Sequence, residues 1–255
     1  MRIVKAMIIA FSMYSKIPMP QFAWKDEDMK YMLCFFPWIG AVIGGCIYLW
    51  VRLCEYFAIG PIAHTLIGVV IPLILTGGFH VDGFMDTMDA FCSYQSKERK
   101  LEILKDSHIG AFAVIMLAVY GLLYTAAFSE IRDERLLKIV CAGFFLSRSL
   151  SGLGVVSLPS AKKDGMLYSF ASKAETNLVR LSLGVQGILC VWFMLRCSLF
   201  AGMIVAVVAV STFFYYGYRS KKEFGGITGD TAGYFVLLVE CSMLIAAAVL
   251  DVIWI

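Results

Sequence analysis

Long apolar runs, each close to the length that crosses a membrane, recur along this chain. A membrane-spanning helix needs about 20 consecutive apolar residues. Of the 255 residues, 60% are hydrophobic and only 16% are charged, whereas soluble domains carry about 45–50% apolar and about 25% charged residues. Because the excess apolar surface has to face something other than water, the sequence predicts an integral membrane protein.

The apolar runs predict an all-α fold, a polytopic membrane bundle of about seven transmembrane helices. We expect a single integral membrane domain over residues 1–255. The first apolar stretch is shorter than a span and lacks a cleavage site, so we predict an interfacial or re-entrant N-terminal helix that Pro18 and Pro20 end. The predicted spans are 32–52, 61–79, 109–128, 139–158, 178–195, 197–218 and 233–254.

Positive charge is unevenly divided between the loops on the two sides of the predicted bundle. One side has the N-terminal segment and loops 80–108, 159–177 and 219–232; the other has loops 53–60 and 129–138 and a tight turn at Arg196. With Arg180 at a span edge, the first side holds 16 of the 22 lysines and arginines, and the second holds five. Because such an excess marks the cytoplasmic side, we expect a multi-pass cell-membrane protein with its long polar loops in the cytoplasm.

The stretch GGFHVDGFMDTMDA, residues 77–90, places three aspartates at the end of a predicted span. Asp82, Asp86 and Asp89 are spaced i, i+4, i+7, which puts them on one face of a helix. Neighbouring carboxylates repel one another, so a cation should compensate them. The pairs 82/86 and 86/89 can each chelate an ion, and paired divalent ions are common in phosphoryl transfer. Oxygen ligands favour Mg²⁺ or Mn²⁺.

Simpler interpretations of this stretch stay open. The acids could face water on a helix at the membrane edge, although the residues between them are apolar. His80 could bind a metal or a phosphate, or it could be a hydrogen-bonded bystander. Gly77, Gly78 and Gly83 predict a chain break and a close approach of backbones.

A second polar stretch, LKDSHIGAF at 104–112, precedes another span. Asp106 and Ser107 suit the N-cap of that helix, whose free N–H groups attract anions. Lys105 and His108 add cationic donors. Alternatively, Asp106 is a further metal ligand.

Two more stretches lie on the same predicted side, LPSAKKDGMLY at 158–168 and FGGITGDTAGYF at 224–235. The lysine pair of the first, Lys162–Lys163, could bind phosphate or serve only as a topology signal at lipid head groups. The glycines of the second permit a backbone nest for an anion, and Thr228 or Asp230 could cap the last span.

Arg148 and Glu240 are charges inside predicted spans. Intramembrane charges are costly and usually face a polar interior. The two residues could pair with each other, or Arg148 could hold a substrate phosphate with support from Glu240.

Taken in order, TGGFHVDGFMDTMDAF, LEILKDSHIGAF, LPSAKKDGM and GGITGDTAG resemble the cobalamin synthase family, adenosylcobinamide-GDP ribazoletransferase. The likeness extends to KIPMP and FFPWIGAVIGG and so spans nearly the whole chain. The resemblance implies an inner-membrane enzyme that needs Mg²⁺. It would join adenosylcobinamide-GDP to α-ribazole, or to its 5′-phosphate, and release GMP in the last assembly step of the nucleotide loop of coenzyme B12.

The residues that we expect to form the site fall into two groups. Catalytic and metal-binding roles are predicted for Asp82, Asp86, Asp89 and Asp106. Substrate-binding roles are predicted for His80, Lys105, Ser107, His108, Arg148, Lys162, Lys163, Thr228 and Asp230. Asp89, at the end of the stripe, is our candidate for the base that takes the proton of the attacking hydroxyl.

Two other functions compete with this one. A membrane transferase using a prenyl diphosphate would also bind Mg²⁺ through acids, but such sites usually use two acid clusters, and only one rich cluster is present. An ion-coupled transporter could use Arg148 and Glu240, although transport sites typically lie mid-bilayer and these acids concentrate at one face. The expected partners include the lipid bilayer and a possible second copy of the chain. The net charge of +3 is too small to indicate nucleic acid.

Overall fold

The computed structural model describes residues 2–162 and 174–254, most of which are helical. The elements are α1 (Arg2–Tyr14), α2 (Asp26–Met29), a 3₁₀ turn (Met32–Phe35), α3 (Phe36–Tyr56), α4 (Pro61–Thr76), α5 (Phe79–Cys92), α6 (Lys97–Ile103), α7 (Ala111–Ser129), α8 (Glu134–Ser157), α9 (Thr176–Cys197), α10 (Leu199–Phe224) and α11 (Gly229–Trp254). In these ranges β-structure is limited to an isolated parallel bridge between Ser160 and Ile227. The predicted all-α class is confirmed.

Six helices among the described residues are each long and apolar enough to cross a membrane. They are α7 to α11 and the segment Glu27–Tyr56, which contains α3. The pair α4 and α5, bent by 94°, would make a seventh if it is one span. Each predicted span therefore coincides with a helix, and the prediction of a polytopic helical bundle is confirmed.

Several predicted boundaries were wrong. α1 ends at Tyr14, ahead of the two prolines that we expected to end it. The break between α9 and α10 lies at Ser198, and Arg196 belongs to the last turn of α9. The predicted loop 80–108 contains α5, the helix that the spacing of the aspartates predicted, and also α6, which was not predicted. Apolar runs locate a helix better than they locate its ends, because the ends depend on capping and local contacts.

α8 and α11 form the centre of the bundle. Buried residues make up 67% and 61% of their most apolar segments, against 22% for α7. α3 packs so closely on α8 that two of its glycines have no room for a side chain. A Cβ at Gly40 would lie 2.0 Å from the carbonyl oxygen of Phe144, and one at Gly44 would lie 2.2 Å from that of Cys141. Small residues spaced by four allow helix backbones to approach in this way.

A pair of glycines turns the chain sharply between α4 and α5. Gly77 and Gly78 have φ values of 64° and 77°, in the left-handed region that favours glycine. α5 therefore runs at 94° to α4. The backbone N–H of Lys16 donates to the carbonyl of Leu75 at 2.8 Å, so the segment after α1 docks at the same bend. α4 corresponds to the predicted span 61–79, and α5 follows it within the predicted loop 80–108.

Candidate active site

The three aspartates of the predicted stripe lie on α5, as expected. Asp86 is half-buried, and this burial raises the pKa of its carboxyl group to about 6, with further contributions from the charges of Asp82, Asp230 and Asp89. Burial and neighbouring acids both disfavour the charged form of a carboxyl group, and burial is the larger cause at Asp86. Asp230 comes from the first turn of α11. The acid cluster therefore draws on two helices.

Glycines bring these two helices together. A Cβ at Gly83 would lie 2.7 Å from the carbonyl oxygen of Asp230, and one at Gly233 would lie 3.2 Å from that of His80. Larger side chains would push α5 away from α11. Sequence reasoning assigned Asp230 to substrate binding or capping and missed its place beside the acids of α5. The glycines on both helices were the available signal.

The third and fourth polar stretches are joined by backbone hydrogen bonds. The N–H of Ala161 donates to the carbonyl of Ile227 at 2.9 Å, and the N–H of Ile227 donates to that of Pro159 at 2.8 Å. A Cβ at Gly226 would lie 2.4 Å from the Pro159 carbonyl oxygen. These contacts place Lys162 near the start of α11.

Thr228 caps α11, as predicted. Its N–H donates to Oγ1 of Thr231 at 2.8 Å, and the N–H of Thr231 donates to Oγ1 of Thr228 at 3.2 Å. This reciprocal pairing resembles a capping box. Thr228 Oγ1 also donates to the carboxylate of Asp230 at 3.4 Å, which holds that acid at the start of α11.

A cavity of about 420 Å³ collects side chains from all four polar stretches, and we call it the outer cavity. The predicted site residues that line it are His80, Asp82, Lys105, Lys162, Thr228 and Asp230. Acids and lysines therefore line one cavity, although they lie far apart in the chain. This arrangement suits a ligand that carries phosphate groups together with a cation.

Aromatic residues that sequence reasoning missed form part of the wall around His80. The rings of Phe36 and Phe79 lie 5.8 Å and 5.5 Å from the imidazole, and the ring of Tyr14 lies 4.6 Å from Phe36. All four residues line the outer cavity. His80 is 3% exposed, and neither of its ring nitrogens has a hydrogen-bond partner among the described residues. In a chain so rich in aromatics, no local signal distinguished these three.

Asp89 has a structural role at the start of α7. Its carboxylate accepts hydrogen bonds from the N–H groups of Gly110 at 2.6 Å and Ala113 at 2.8 Å. Gly110 is the N-cap of this helix. The predicted N-cap at Asp106 or Ser107 was therefore wrong, because an acid from α5 supplies the cap from a distance.

The exposed residues Asp106, Ser107 and His108 do not line the outer cavity. Asp106 accepts a hydrogen bond from the His108 N–H at 3.0 Å and lies 2.6 Å from its ring Nδ1. These bonds, led by the one to the ring, lower the pKa of the Asp106 carboxyl group. This stretch contributes Lys105 to the cavity and no other predicted residue.

Arg148 and Glu240 pair with each other, which is one of the two expected arrangements. Arg148 Nη1 lies 2.5 Å from Glu240 Oε1, and both side chains are buried. They line a separate cavity of about 260 Å³ together with His80, and we call it the inner cavity. Arg148 does not line the outer cavity. Lys163 lies outside the described residues.

The residues present are compatible with a divalent cation bound together with a phosphate ligand. Within residues 2–162 and 174–254, no three His, Cys, Asp or Glu side chains form a group that could hold a metal ion. The four-aspartate metal site therefore stays a prediction. Mg²⁺, however, is usually bound by one or two carboxylates plus substrate phosphates and water. The neighbouring carboxylates of Asp82 and Asp86 on α5 fit this mode.

Comparison with known proteins assigns the family. The family model described as cobalamin-5-phosphate synthase matches residues 6–248. The chain belongs to the cobalamin-5-phosphate synthase family. It is accordingly an enzyme, a transferase, as the family resemblance implied. No solved structure matches the chain.

Curated members of the cobalamin-5-phosphate synthase family cover nearly the whole chain. A Lachnoclostridium phytofermentans protein named adenosylcobinamide-GDP ribazoletransferase is 42% identical over 249 residues, covering 98% of this chain and 94% of that protein. A Clostridium perfringens protein of the same name is 32% identical over 240 residues, with coverages of 92% and 94%. An Escherichia coli protein of that name is 29% identical over 240 residues, with coverages of 92% and 96%.

Proposed function

We propose that this enzyme joins adenosylcobinamide-GDP to α-ribazole, or to its 5′-phosphate, and releases GMP. The product would be adenosylcobalamin, or its 5′-phosphate, the outcome of the last step of nucleotide-loop assembly. The names of the relatives support this reaction. The observation that carries it is the outer cavity, which Asp82 of α5 and Asp230 of α11 line together with lysines from two loops.

Asp82 and Asp86 are the residues that would hold Mg²⁺, together with oxygens of the substrate diphosphate. When bound there, the ion would neutralise phosphate charge. Asp82 lines the outer cavity and Asp86 does not. Lys105 and Lys162 line that cavity with Asp82 and would bind the diphosphate oxygens from the loops. Cations placed where charge develops lower the barrier to phosphoryl transfer.

In the reaction, a ribose hydroxyl oxygen of ribazole would form a bond to the phosphorus attached to the corrinoid arm. The bond from that phosphorus to the oxygen of GMP would break, and GMP would leave. A carboxylate would take the hydroxyl proton. Both carboxylate oxygens of Asp89, our candidate base from the sequence, accept hydrogen bonds from backbone N–H groups. We therefore propose Asp230 as the base, because it lines the cavity and lies outside the metal-binding pair.

We also propose that the outer cavity lies at the cytoplasmic face of the cell membrane. The excess of lysine and arginine in the loops that build the cavity supports this orientation. Both polar substrates could then reach the site without crossing the bilayer.

The reaction is tested with purified, folded protein in lipid nanodiscs supplied with adenosylcobinamide-GDP, α-ribazole and Mg²⁺. We expect cobalamin and GMP in equal amounts, and loss of both on chelation of the metal. Asp82→Asn should lower the rate by about 100-fold or more, because it removes a carboxylate that holds the ion.

Glu102→Gln is the matched control, since Glu102 is an exposed acid on α6 that pairs with Arg99. It should leave the rate within about two-fold, as expected for an exposed surface pair. Near-normal turnover by folded Asp82→Asn would remove the metal pair from the mechanism. Absence of cobalamin with the unaltered protein would contradict the proposed reaction itself.

A further inference from the structure

The inner cavity, behind His80, has mostly apolar walls. It has a volume of about 260 Å³ and lies among α4, α5, α7, α8 and α11. Leu73 of α4, Leu117 of α7 and Leu237 of α11 contribute to the walls, and Tyr120 and Tyr124 add aromatic rings. Apolar and aromatic walls with a few convergent polar groups are characteristic of small-molecule sites.

The polar groups of the inner cavity are buried and incompletely satisfied. His80 and Arg148 are 3% and 1% exposed. Among the described residues, both ring nitrogens of His80 and Nε of Arg148 have no hydrogen-bond partner. The two hydrogen bonds that Glu240 accepts, from Ser147 and Arg148, both end on Oε1. Buried groups of this kind are costly unless a ligand or water pairs with them.

We propose that the inner cavity binds the aromatic base of the ribazole substrate. This inference rests on the proposed function and adds a place for one half of the acceptor. A benzimidazole-type base is flat, about the size of an indole side chain, and apolar except for one unsubstituted ring nitrogen. That nitrogen can accept a hydrogen bond from Arg148 Nε, while the rest of the base packs on leucine and tyrosine side chains.

The chemistry of the cavity favours this base over the guanine of the other substrate. Guanine carries several donors and acceptors around its edge. Placing it among Leu73, Leu117 and Leu237 would leave some of them unpaired, and each unpaired polar group is costly. A base with one acceptor matches a cavity that supplies few polar groups.

His80 lies between the base site and the reacting groups. It is part of the wall of both cavities. For its attached ribose to reach the outer cavity, which Asp82 and Asp230 line, a base in the inner cavity would have to extend past the His80 side chain. There a nitrogen of the imidazole can bond to a sugar hydroxyl, which makes His80 a positioning residue for the acceptor.

Filling the inner cavity tests the proposal. Gly121 lines it, and a Cβ at this position would have no atom within 4 Å, so Gly121→Leu can occupy the space without displacing backbone. We expect KM for α-ribazole to rise by about ten-fold or more, the scale of steric discrimination in apolar pockets. KM for adenosylcobinamide-GDP should stay within about two-fold, since its site is left intact.

Gly184→Leu is the matched control. Gly184 is also a helix glycine with no atom within 4 Å of an added Cβ, and it lies on α9, outside the inner cavity. It should leave both KM values unchanged. Equilibrium dialysis of α-ribazole against each protein, without the corrinoid, should show the same loss of affinity for Gly121→Leu alone.

Unchanged binding of α-ribazole by Gly121→Leu would overturn the proposal, and so would a rise confined to KM for the corrinoid. If this variant fails to fold, the proposal can still be tested on the unaltered protein by measuring KM for an α-riboside that carries adenine in place of benzimidazole. Its KM should be about ten-fold higher, because the added polar groups find no partners, and equal KM values would contradict the base site. Failure of the proposed function can be told apart from failure of the base site, since the unaltered protein would then form no cobalamin at all.

Discussion

The carboxylate of Asp89 accepts hydrogen bonds from the backbone at the start of α7 and so links that helix to α5. Replacement by alanine would leave the N–H groups of Gly110 and Ala113 without this acceptor. We expect Asp89→Ala to lower the free energy of unfolding by about 1–3 kcal/mol, the cost of losing hydrogen bonds to a charged group. Chemical denaturation in detergent, followed by circular dichroism, measures the change.

Asp106→Ala is the comparison for this prediction, because Asp106 is an exposed acid on the neighbouring loop. Its effect on unfolding should be within about 0.5 kcal/mol. Equal stability of the two variants would contradict the capping role of Asp89.

The close approach of α5 to α11 brings Asp230 next to the aspartates of α5. Gly83→Ala would place a Cβ 2.7 Å from the backbone carbonyl oxygen of Asp230, so the two helices must separate. We expect a loss of about 1–3 kcal/mol in stability, as for other overpacked contacts, and a lower rate of turnover. Gly45→Ala on α3 is the control, because open space surrounds its Cβ position; it should be neutral or slightly stabilising.

The ion pair between Arg148 and Glu240 joins α8 to α11 at the centre of the bundle. Glu240→Gln would leave the buried guanidinium without its counter-ion, and we expect a loss of about 3–5 kcal/mol in stability. Replacing both residues by methionine should recover most of this loss, because no uncompensated charge then remains. Unfolding of the single and double variants measures both effects, and equal stability of Glu240→Gln and the unaltered protein would contradict the prediction.

At the scale of the whole molecule, the distribution of positive charge predicts the orientation in the membrane. Lys97 on α6 and Ser129 at the end of α7 are exposed and belong to opposite sides of the predicted bundle. In intact cells, we expect a membrane-impermeant maleimide to label Ser129→Cys, and to label Lys97→Cys only after lysis. The eight native cysteines are free and buried or half-buried, so the unaltered protein gives the background. The reverse pattern would invert the proposed orientation.

Much of the bundle was predictable from local features. Apolar runs locate helices because a membrane leaves few other ways to satisfy the backbone. The spacing of Asp82, Asp86 and Asp89 placed them on one helix face, and the pair Gly77–Gly78 predicted the chain break at which α5 begins. Each inference used residues within a few turns of one another. Helix ends were less predictable, as the position of Ser198 shows, because caps depend on contacts beyond the apolar pattern.

By itself, then, the sequence determined the class of the protein, the positions of its spans, the acid stripe and the order of motifs that resembles one family. Only the tertiary structure decided which predicted residues share a cavity. In the structure, Asp230 lies beside the acids of α5, Asp89 caps α7, and Asp106 is exposed. The physical reason is that helical periodicity and hydrophobicity are properties of neighbouring residues. The convergence of His80, Lys162 and Asp230 depends instead on how distant helices pack, at contacts such as Gly83 on Asp230 and Gly226 on Pro159.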